Sequence, residues 1–596
     1  MKIKFYLFIF FFIFQNHNLA FTDNSNYYDI EYSHQDLKKI SKIWVYSSNV
    51  FKDSQTKLVR YKDKIIHLDG KKNLIILSLL DGSEICKNIG KSDRAPYRGI
   101  NLYIKNPSDN EIFAVFPRHG EIKLINIFDC REKKLPTKII QKNLSAPILI
   151  NQNQAILLPN GEVPTSYDLN TGQVLWKASI DAKDKIKLKK YNKNKKFSWD
   201  VWGGGVIDKK FNQVIFSTAN AKPAYSSKGR EGPNLFYNSI VSLDINTGTY
   251  KWHFQEIEHD VLNLDMASAP ALFDKYNNYY VLQATKSGQL IILDRLTGIP
   301  LEKYIEKIFY HTEDKKIFTK KKVFENWLQF SRNNFLENDI NNLNDDFFNE
   351  AQSLINRSSI SEYKKLSVSK NYIHYGFHGG NEWPGIGVLP KGNVIIPGNN
   401  IAWVSKLKDP SQFDLSSEIY ILFKSFFSIF NFDFKKFKQN VKKTLFQFKK
   451  IINYKKLNIE KYQRFVNNKG IPLNSPPWGT ITSIDIFNKK KNWEIPHGSY
   501  PQLKSIYKNT GSEIFGCPVL AGNEIFFMSG TRDKKIYAYQ NIDGKLLWED
   551  ELPFVSYGCP IISEYNGSFF LIINASGGSK FRDVEKGDKI VAYKLK

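Results

Sequence analysis

Four times along the chain a short strand ends in a polar turn, and a tryptophan follows at a fixed distance. The segments are Tyr167 to Trp176, Leu243 to Trp252, Asp485 to Trp493 and Gln540 to Trp548. Each sets its tryptophan eight residues after the turn begins at Asp168, Asp244, Asp485 or Gln540. Asp or Asn can bond its own backbone in a tight turn, Gly accepts positive φ, and the returning strand buries its indole against a neighbouring sheet. Weaker copies at Ser78 to Cys86, Asn126 to Lys134, Asp294 to Glu302 and Asn399 to Trp403 bring the units to eight. Repetition at this scale predicts an all-β fold, an eight-bladed β-propeller. The terminal Lys589 to Tyr593 reads as a strand before a turn that never comes. It is expected to close the ring against an N-terminal strand, which removes both exposed edges.

Eight blades of roughly 45 residues use about 360 residues. The remainder is expected in two partly helical insertions, at about 305–375 and 409–462. Hydrophobic residues at 42% and aromatics at 14% are enough for a large core and exclude a disordered chain. Four cysteines without a CxxC pair exclude both a disulfide scaffold and a zinc site. The net charge of +26 is spread through the chain among Asn, Ile and Phe, which reads as codon bias rather than a nucleic-acid surface. Two lysines within Met1 to Lys4, the apolar run Phe5 to Phe14 and a small residue at Ala20 read as a secretory signal over 1–20, with the mature chain at 21–596. No later stretch approaches about eighteen uninterrupted apolar residues, so the expected location is an extracytoplasmic, oxidising, periplasmic space.

Several ordered segments resemble the pyrroloquinoline quinone (PQQ) dependent dehydrogenases, in particular their membrane-type glucose and polyol branch. They are Trp202-Gly203-Gly204 with Phe216 to Asn220, Gly232-Pro233-Asn234-Leu235 with Asn238-Ser239, and Thr285-Lys286-Ser287-Gly288 through Leu293-Asp294-Arg295. Tyr462-Gln463-Arg464-Phe465 and Pro476 to Thr480 continue the likeness. The resemblance implies a flat quinone cofactor near the propeller axis, above a hard cation such as calcium, accepting a hydride from a sugar, polyol or alcohol. It further implies that Trp202 is the indole under the quinone and that Arg98 contacts a quinone carboxylate. Lys286 is then the cation beside the reactive carbonyls, Asn220 a metal ligand, and Asn399 or Asn400 a contact at the quinone edge.

The departures from the family pattern carry as much weight. Where the family places a catalytic aspartate in a His-Asp-x-Trp-Asp segment, this chain reads His259-Asp260-Val261-Leu262-Asn263-Leu264-Asp265. The base position is Asn263, and a carboxamide is not basic near neutral pH. Glu162 is a poor match to the family's glutamate metal ligand. Asp265, two residues on, is the candidate to serve as base or metal ligand, the alternative being a turn cap before Ala269-Pro270.

Two functions follow. One is a quinoprotein dehydrogenase of the sugar or polyol type, or a divergent descendant of one with impaired chemistry, passing electrons to a membrane quinone or a separate carrier, since no CxxCH haem site is present. The other is a noncatalytic propeller scaffold that binds protein partners. Gly516-Cys517-Pro518 and Gly558-Cys559-Pro560 repeat one tripeptide 42 residues apart, which suggests equivalent strands of adjacent blades and either a disulfide or two buried thiols. Within Ile419 to Ile452, Phe423, Phe426, Phe427 and Phe430 recur at helical spacing ahead of Lys435, Lys436, Lys438, Lys442 and Lys443. That pattern suits either peripheral contact with an anionic membrane or a helical hairpin docked on the disc.

Overall fold

The computed structural model describes residues 26–595 except 31–36, 91–96, 192–196, 198, 226, 228–229, 312–313, 316, 361, 364–365, 368, 408–460, 504–506 and 582–583. The expected signal segment at 1–20 and the Phe- and Lys-rich segment Ile419 to Ile452 therefore lie outside the described residues.

Sequential strands pair with their neighbours to make small antiparallel sheets over 59–88, 101–126, 149–177, 205–255 and 271–294. A further sheet joins Gly387–Val388, Asn393–Asn399, Gly479–Asp485 and Lys490–Pro496, and another covers 519–551. The first strands of these sheets touch in succession. Asn101–Asn106 meets Leu149–Asn151, which meets Gly205–Asp208, which meets Ala271–Lys275; Gly387–Val388 meets Val519–Ala521, which meets Ile561–Tyr565, which meets Val59–Tyr61. Sheets so arranged around an axis form a β-propeller. Ser41–Ser47 pairs antiparallel with the C-terminal Lys589–Leu595, so chain closure occurs as the unpaired terminal strand predicts.

Burial follows from this stacking. Strands with a sheet on both faces can be apolar without alternation: the inner strand Leu74–Ser78 and the third strand Leu290–Asp294 of its sheet bury every residue but their last. The outer strand faces water, and in Val174–Lys177 only Trp176 is buried. The indole is covered by the glycine turn of the following sheet. A Cβ on Gly248 would lie 2.4 Å from the Trp176 ring, and one on Gly298 would lie 2.3 Å from Trp252. These turns have φ of +70° at both glycines, so glycine is required for conformation and for close approach together. The Trp176 Nε1 donates to the Ile245 carbonyl at 2.9 Å and locks neighbouring sheets. At the closure Trp44 performs the same task, donating to Leu79 at 3.0 Å under Gly82.

One expected repeat unit is a correction. Asn399 to Trp403 is not the turn of a sheet of its own: Asn393–Asn399 pairs with Gly479–Asp485, while Ala402–Lys406 pairs with Asn371–Tyr375 and Lys461–Arg464 in a separate sheet. Local turn chemistry resembled the repeat, but the strands on either side part to different sheets. The described residues of the 305–375 stretch hold one α-helix, Asp345–Ile355, capped by the Asn344 side chain accepting from Phe347 N at 2.9 Å, and two short 3-10 turns at Asn326–Leu328 and Glu337–Asp339. The rest of its regular structure is largely strand, including the hairpin Tyr304–Tyr310 and Phe318–Phe324. No helix among the described residues is long and apolar enough to cross a membrane.

Cys517 and Cys559 form a disulfide with Cα atoms 4.9 Å apart, and Gly516 bridges Gly558 in parallel between adjacent sheets. The repeated tripeptide therefore does mark equivalent strands. A second disulfide, Cys86–Cys130, spans a similar separation of 44 residues. Replacing both Cys517 and Cys559 by Ala should lower the urea unfolding midpoint, with a loss of about 4 kcal/mol expected for a loop of this length. Equal midpoints for the two proteins would show that the bridge contributes nothing.

Candidate functional site

The segment 202–204 and the segment 265–268 are forced together by missing side chains. A Cβ on Gly203 would stand 2.0 Å from the Ala267 carbonyl oxygen, and Gly204 has φ +115°. Ser217 Oγ donates to the Ser268 carbonyl at 2.5 Å, which ties the same segment to the end of strand Gln213–Ser217. Upstream, the buried Asp260 carboxylate accepts from Leu262 N at 2.8 Å, Leu264 N at 2.7 Å and the Tyr363 hydroxyl. These bonds curl the chain so that Asn263 takes φ +61°, a region asparagine enters more readily than most residues.

At the centre, Lys286 Nζ bonds Asp265 Oδ2 at 2.9 Å, with both side chains buried. Asp265 Oδ1 accepts from the Asn220 backbone N–H at 2.7 Å. Lys286 Nζ also lies 4.9 Å from the centre of the Trp202 ring, and the Arg98 guanidinium lies 4.6 Å from it. Arg98 is in addition 5.3 Å from the Trp383 ring. Burial pulls the Arg98 pKa down to about 10, against the pull of Glu382 and Asp265. The sequence-based candidates Arg98, Trp202, Lys286, Asp265 and Asn220 are thus brought into one cluster.

The remaining candidates are placed differently. Asn399 exchanges bonds with the backbone of Ile514, at 3.1 Å and 2.7 Å, and Asn400 Oδ1 accepts from Ser331 Oγ and Arg332 N at 2.9 Å and 2.8 Å. Their amides serve strand junctions. Glu162 accepts from Gln141 and Asn143 at 2.9 Å and 3.2 Å. Asp265 points into the cluster as an ion-pair partner, not as a cap on the Ala269-Pro270 turn. The Asn220 Oδ1 atom accepts from Lys222 Nζ at 2.9 Å.

Several residues were missed from sequence. Glu382 is buried near Lys286 and Lys580: burial favours its neutral form, but these two charges and a hydrogen bond from His378 prevail and hold its pKa at about 2. Lys580 is itself shifted down, chiefly by burial. The phenols of Tyr225 and Tyr462, with rings 5.2 Å apart, face Asn263; burial is the main cause that pushes both pKa values up. Tyr462 stood in a segment that resembles the family but was given no role, and the others' only sequence signal was aromatic and charged residues inside otherwise apolar or glycine-rich segments, such as Gly379-Gly380-Asn381-Glu382-Trp383.

Two buried donors, Arg98 Nε and Trp383 Nε1, find no hydrogen-bond partner among the described residues. Two indoles, three nearby cations and unmatched donors make a cluster of side chains suited to a flat, anionic, acceptor-rich molecule.

Comparison with known proteins agrees with this geometry. The chain is 25% identical to quinoprotein glucose dehydrogenase A of Acinetobacter calcoaceticus over 475 residues, covering 75% of this chain and 55% of that protein. It is 24% identical to the quinate/shikimate dehydrogenase (quinone) of Acinetobacter baylyi over 469 residues, with the same coverage of each. The chain thus spans about half the length of these relatives. Among solved structures, the quinohemoprotein alcohol dehydrogenase from Comamonas testosteroni superposes with a TM-score of 0.63 at 16% identity, over 96% of this chain and 79% of that one. A europium-containing methanol dehydrogenase gives 0.62 at 12% identity over 96% of both chains, and both structures share the propeller fold. Residues 102–570 match the family described as "Glucose/ethanol/alcohol dehydrogenase, beta-propeller domain", and the chain therefore belongs to this family of PQQ-dependent dehydrogenase propellers.

Proposed function

We propose that this chain is a periplasmic quinoprotein whose pocket holds PQQ and whose oxidation of a sugar, polyol or alcohol is slow because its base position is Asn263. The observation that carries the reading is Trp202, with the Arg98 and Lys286 cations over its ring beside buried donors that lack partners. Trp202 would offer the stacking face, Arg98 and Lys580 would meet carboxylates, and Lys286 would hold positive charge where the reduced ring needs it. PQQ, when bound, supplies the two-electron acceptor for turning a CH–OH group into a carbonyl. The hydroxyl proton must go to a base on the protein. Asn263 cannot take it, and Asp265 is the adjacent carboxylate, with both oxygens already engaged by Lys286 and Asn220. Electrons would leave to a membrane quinone or separate carrier. Two disulfides fit an oxidising compartment.

We read the disc as eight-bladed, on inner strands that begin at Val59, Asn101, Leu149, Gly205, Ala271, Gly387, Val519 and Ile561. The insertions at about 305–375 and 409–462 would project from it.

Quenching of tryptophan fluorescence by added PQQ tests the cofactor reading. Wild-type protein should bind, and Arg98→Ala should weaken binding about ten-fold or more, as expected for loss of a charge-assisted hydrogen bond. Equilibrium dialysis of Trp202→Ala should show a comparable loss. Wild-type protein that fails to bind PQQ would overturn the proposal and favour a scaffold that binds protein partners.

A further inference from the structure

The donor set around Asn220 and Asp265 does not fit a divalent cation. A hard cation such as calcium takes six to eight oxygen ligands, with carboxylates prominent among them. Here the Asn220 amide oxygen is bonded to Lys222 Nζ at 2.9 Å, and Asp265 Oδ2 to Lys286 Nζ at 2.9 Å. Asp265 Oδ1 is held by the Asn220 backbone N–H. The nearby Asn263 is neutral. No group of three or more His, Cys, Asp or Glu side chains among the described residues is arranged to hold a metal ion.

We infer that the Lys222 and Lys286 ammonium groups replace the metal ion, so that the pocket works with an internal cation and binds no calcium. Two ammonium groups carry the charge of one divalent ion and put it on the same two side chains, Asn220 and Asp265. Asp200 also lies within electrostatic range of both Lys222 and Asp265, so Lys222 answers one carboxylate as well as the amide. A calcium ion approaching Asn220 would meet an ammonium already bonded to the oxygen it needs, and like charges at such distance repel. Lys286 occurs within the segment that resembles the family, whereas Lys222 lies just after the matching segment Phe216 to Asn220. Lys222 is exposed apart from its bonded end, while Asn220 is fully buried, so the amide oxygen is positioned by the fold and the ammonium reaches in from the surface.

Tryptophan-sensitised terbium luminescence on the purified full chain tests this without any turnover. Wild-type protein should bind terbium no more tightly than about millimolar, the weak end of oxygen-ligand sites. Asn263→Asp supplies a carboxylate but leaves Lys222 in place, and should remain weak. The Asn263→Asp/Lys222→Met double variant should bind at least about ten-fold more tightly than Asn263→Asp alone, and calcium should compete. Stoichiometric calcium retained by wild-type protein after dialysis would overturn the inference. So would equal terbium affinity in the single and double variants, with circular dichroism used to verify that both are folded. A further arm rests on the quinone-pocket reading: PQQ binding to wild-type protein should be unchanged by excess EDTA. Loss of binding in EDTA would refute the replacement of the metal, while absence of PQQ binding in any condition would refute the cofactor reading and leave the terbium comparison to decide Lys222.

Discussion

Turnover of PQQ-loaded Asn263→Asp protein should exceed that of wild type by about 10²-fold or more, the lower range of what a positioned general base contributes. The substitution is nearly isosteric. It sits at φ +61°, which aspartate also tolerates, so the backbone set by Asp260 need not move. The new carboxylate would face the Tyr225 and Tyr462 hydroxyls, which can donate to it, and would lie two residues from Asp265. Initial rates with an artificial electron acceptor, measured on an aldose, glycerol and quinate, provide the check. Rates that do not rise on any of these would place the proton acceptor elsewhere. Robust wild-type oxidation would point to Asp265 already acting as base.

The largest effect on stability is expected at Asp265. Asp265→Asn removes the anion beside a lysine that is only 4% exposed, and breaking a buried pair in this way costs about 3–5 kcal/mol because the surviving charge is uncompensated. The Asn220 backbone N–H keeps an acceptor in the new amide, so the loss is chiefly electrostatic. Adding Lys286→Met removes the stranded charge and should recover most of the stability, since a buried ion pair replaced whole by apolar atoms is often near neutral. Denaturant unfolding of wild type, single and double variants measures this directly. A single variant as stable as wild type would mean that Lys286 turns out to solvent or to Glu382, and would remove the ion pair from the account of the pocket.

Much of the architecture was legible because its stabilising contacts are repeated locally. A turn aspartate, a glycine and a tryptophan recur because indoles such as Trp176, Trp252 and Trp493 need the next sheet's glycine above them, and that need leaves a repeated mark along the chain. Closure by Lys589 to Tyr593 was legible for the same reason, as a strand without its turn. The Cys517–Cys559 pairing was marked by a repeated tripeptide. Cys86–Cys130 lacked the tripeptide and was missed, although its spacing of 44 residues is close to the 42 of the other pair. Asn399 to Trp403 misled because turn chemistry is local, while the choice of partner strand is not.

Sequence alone determined the propeller, the residues that resemble a quinone pocket and the loss of a carboxylate at Asn263, since each is carried by a short ordered pattern. Only the tertiary structure decided which charges meet. Arg98, Trp202, Lys286, Glu382 and Lys580 come from distant segments, and ring closure puts them around one pocket; no spacing along the chain encodes that distance. The partner of Lys222 was equally hidden, because an exposed lysine beside an asparagine carries no signal until the fold buries the amide and aims its oxygen at the ammonium. Charge interactions fall off with separation in space rather than in sequence, so the electrostatics of the pocket is a property of the closed ring.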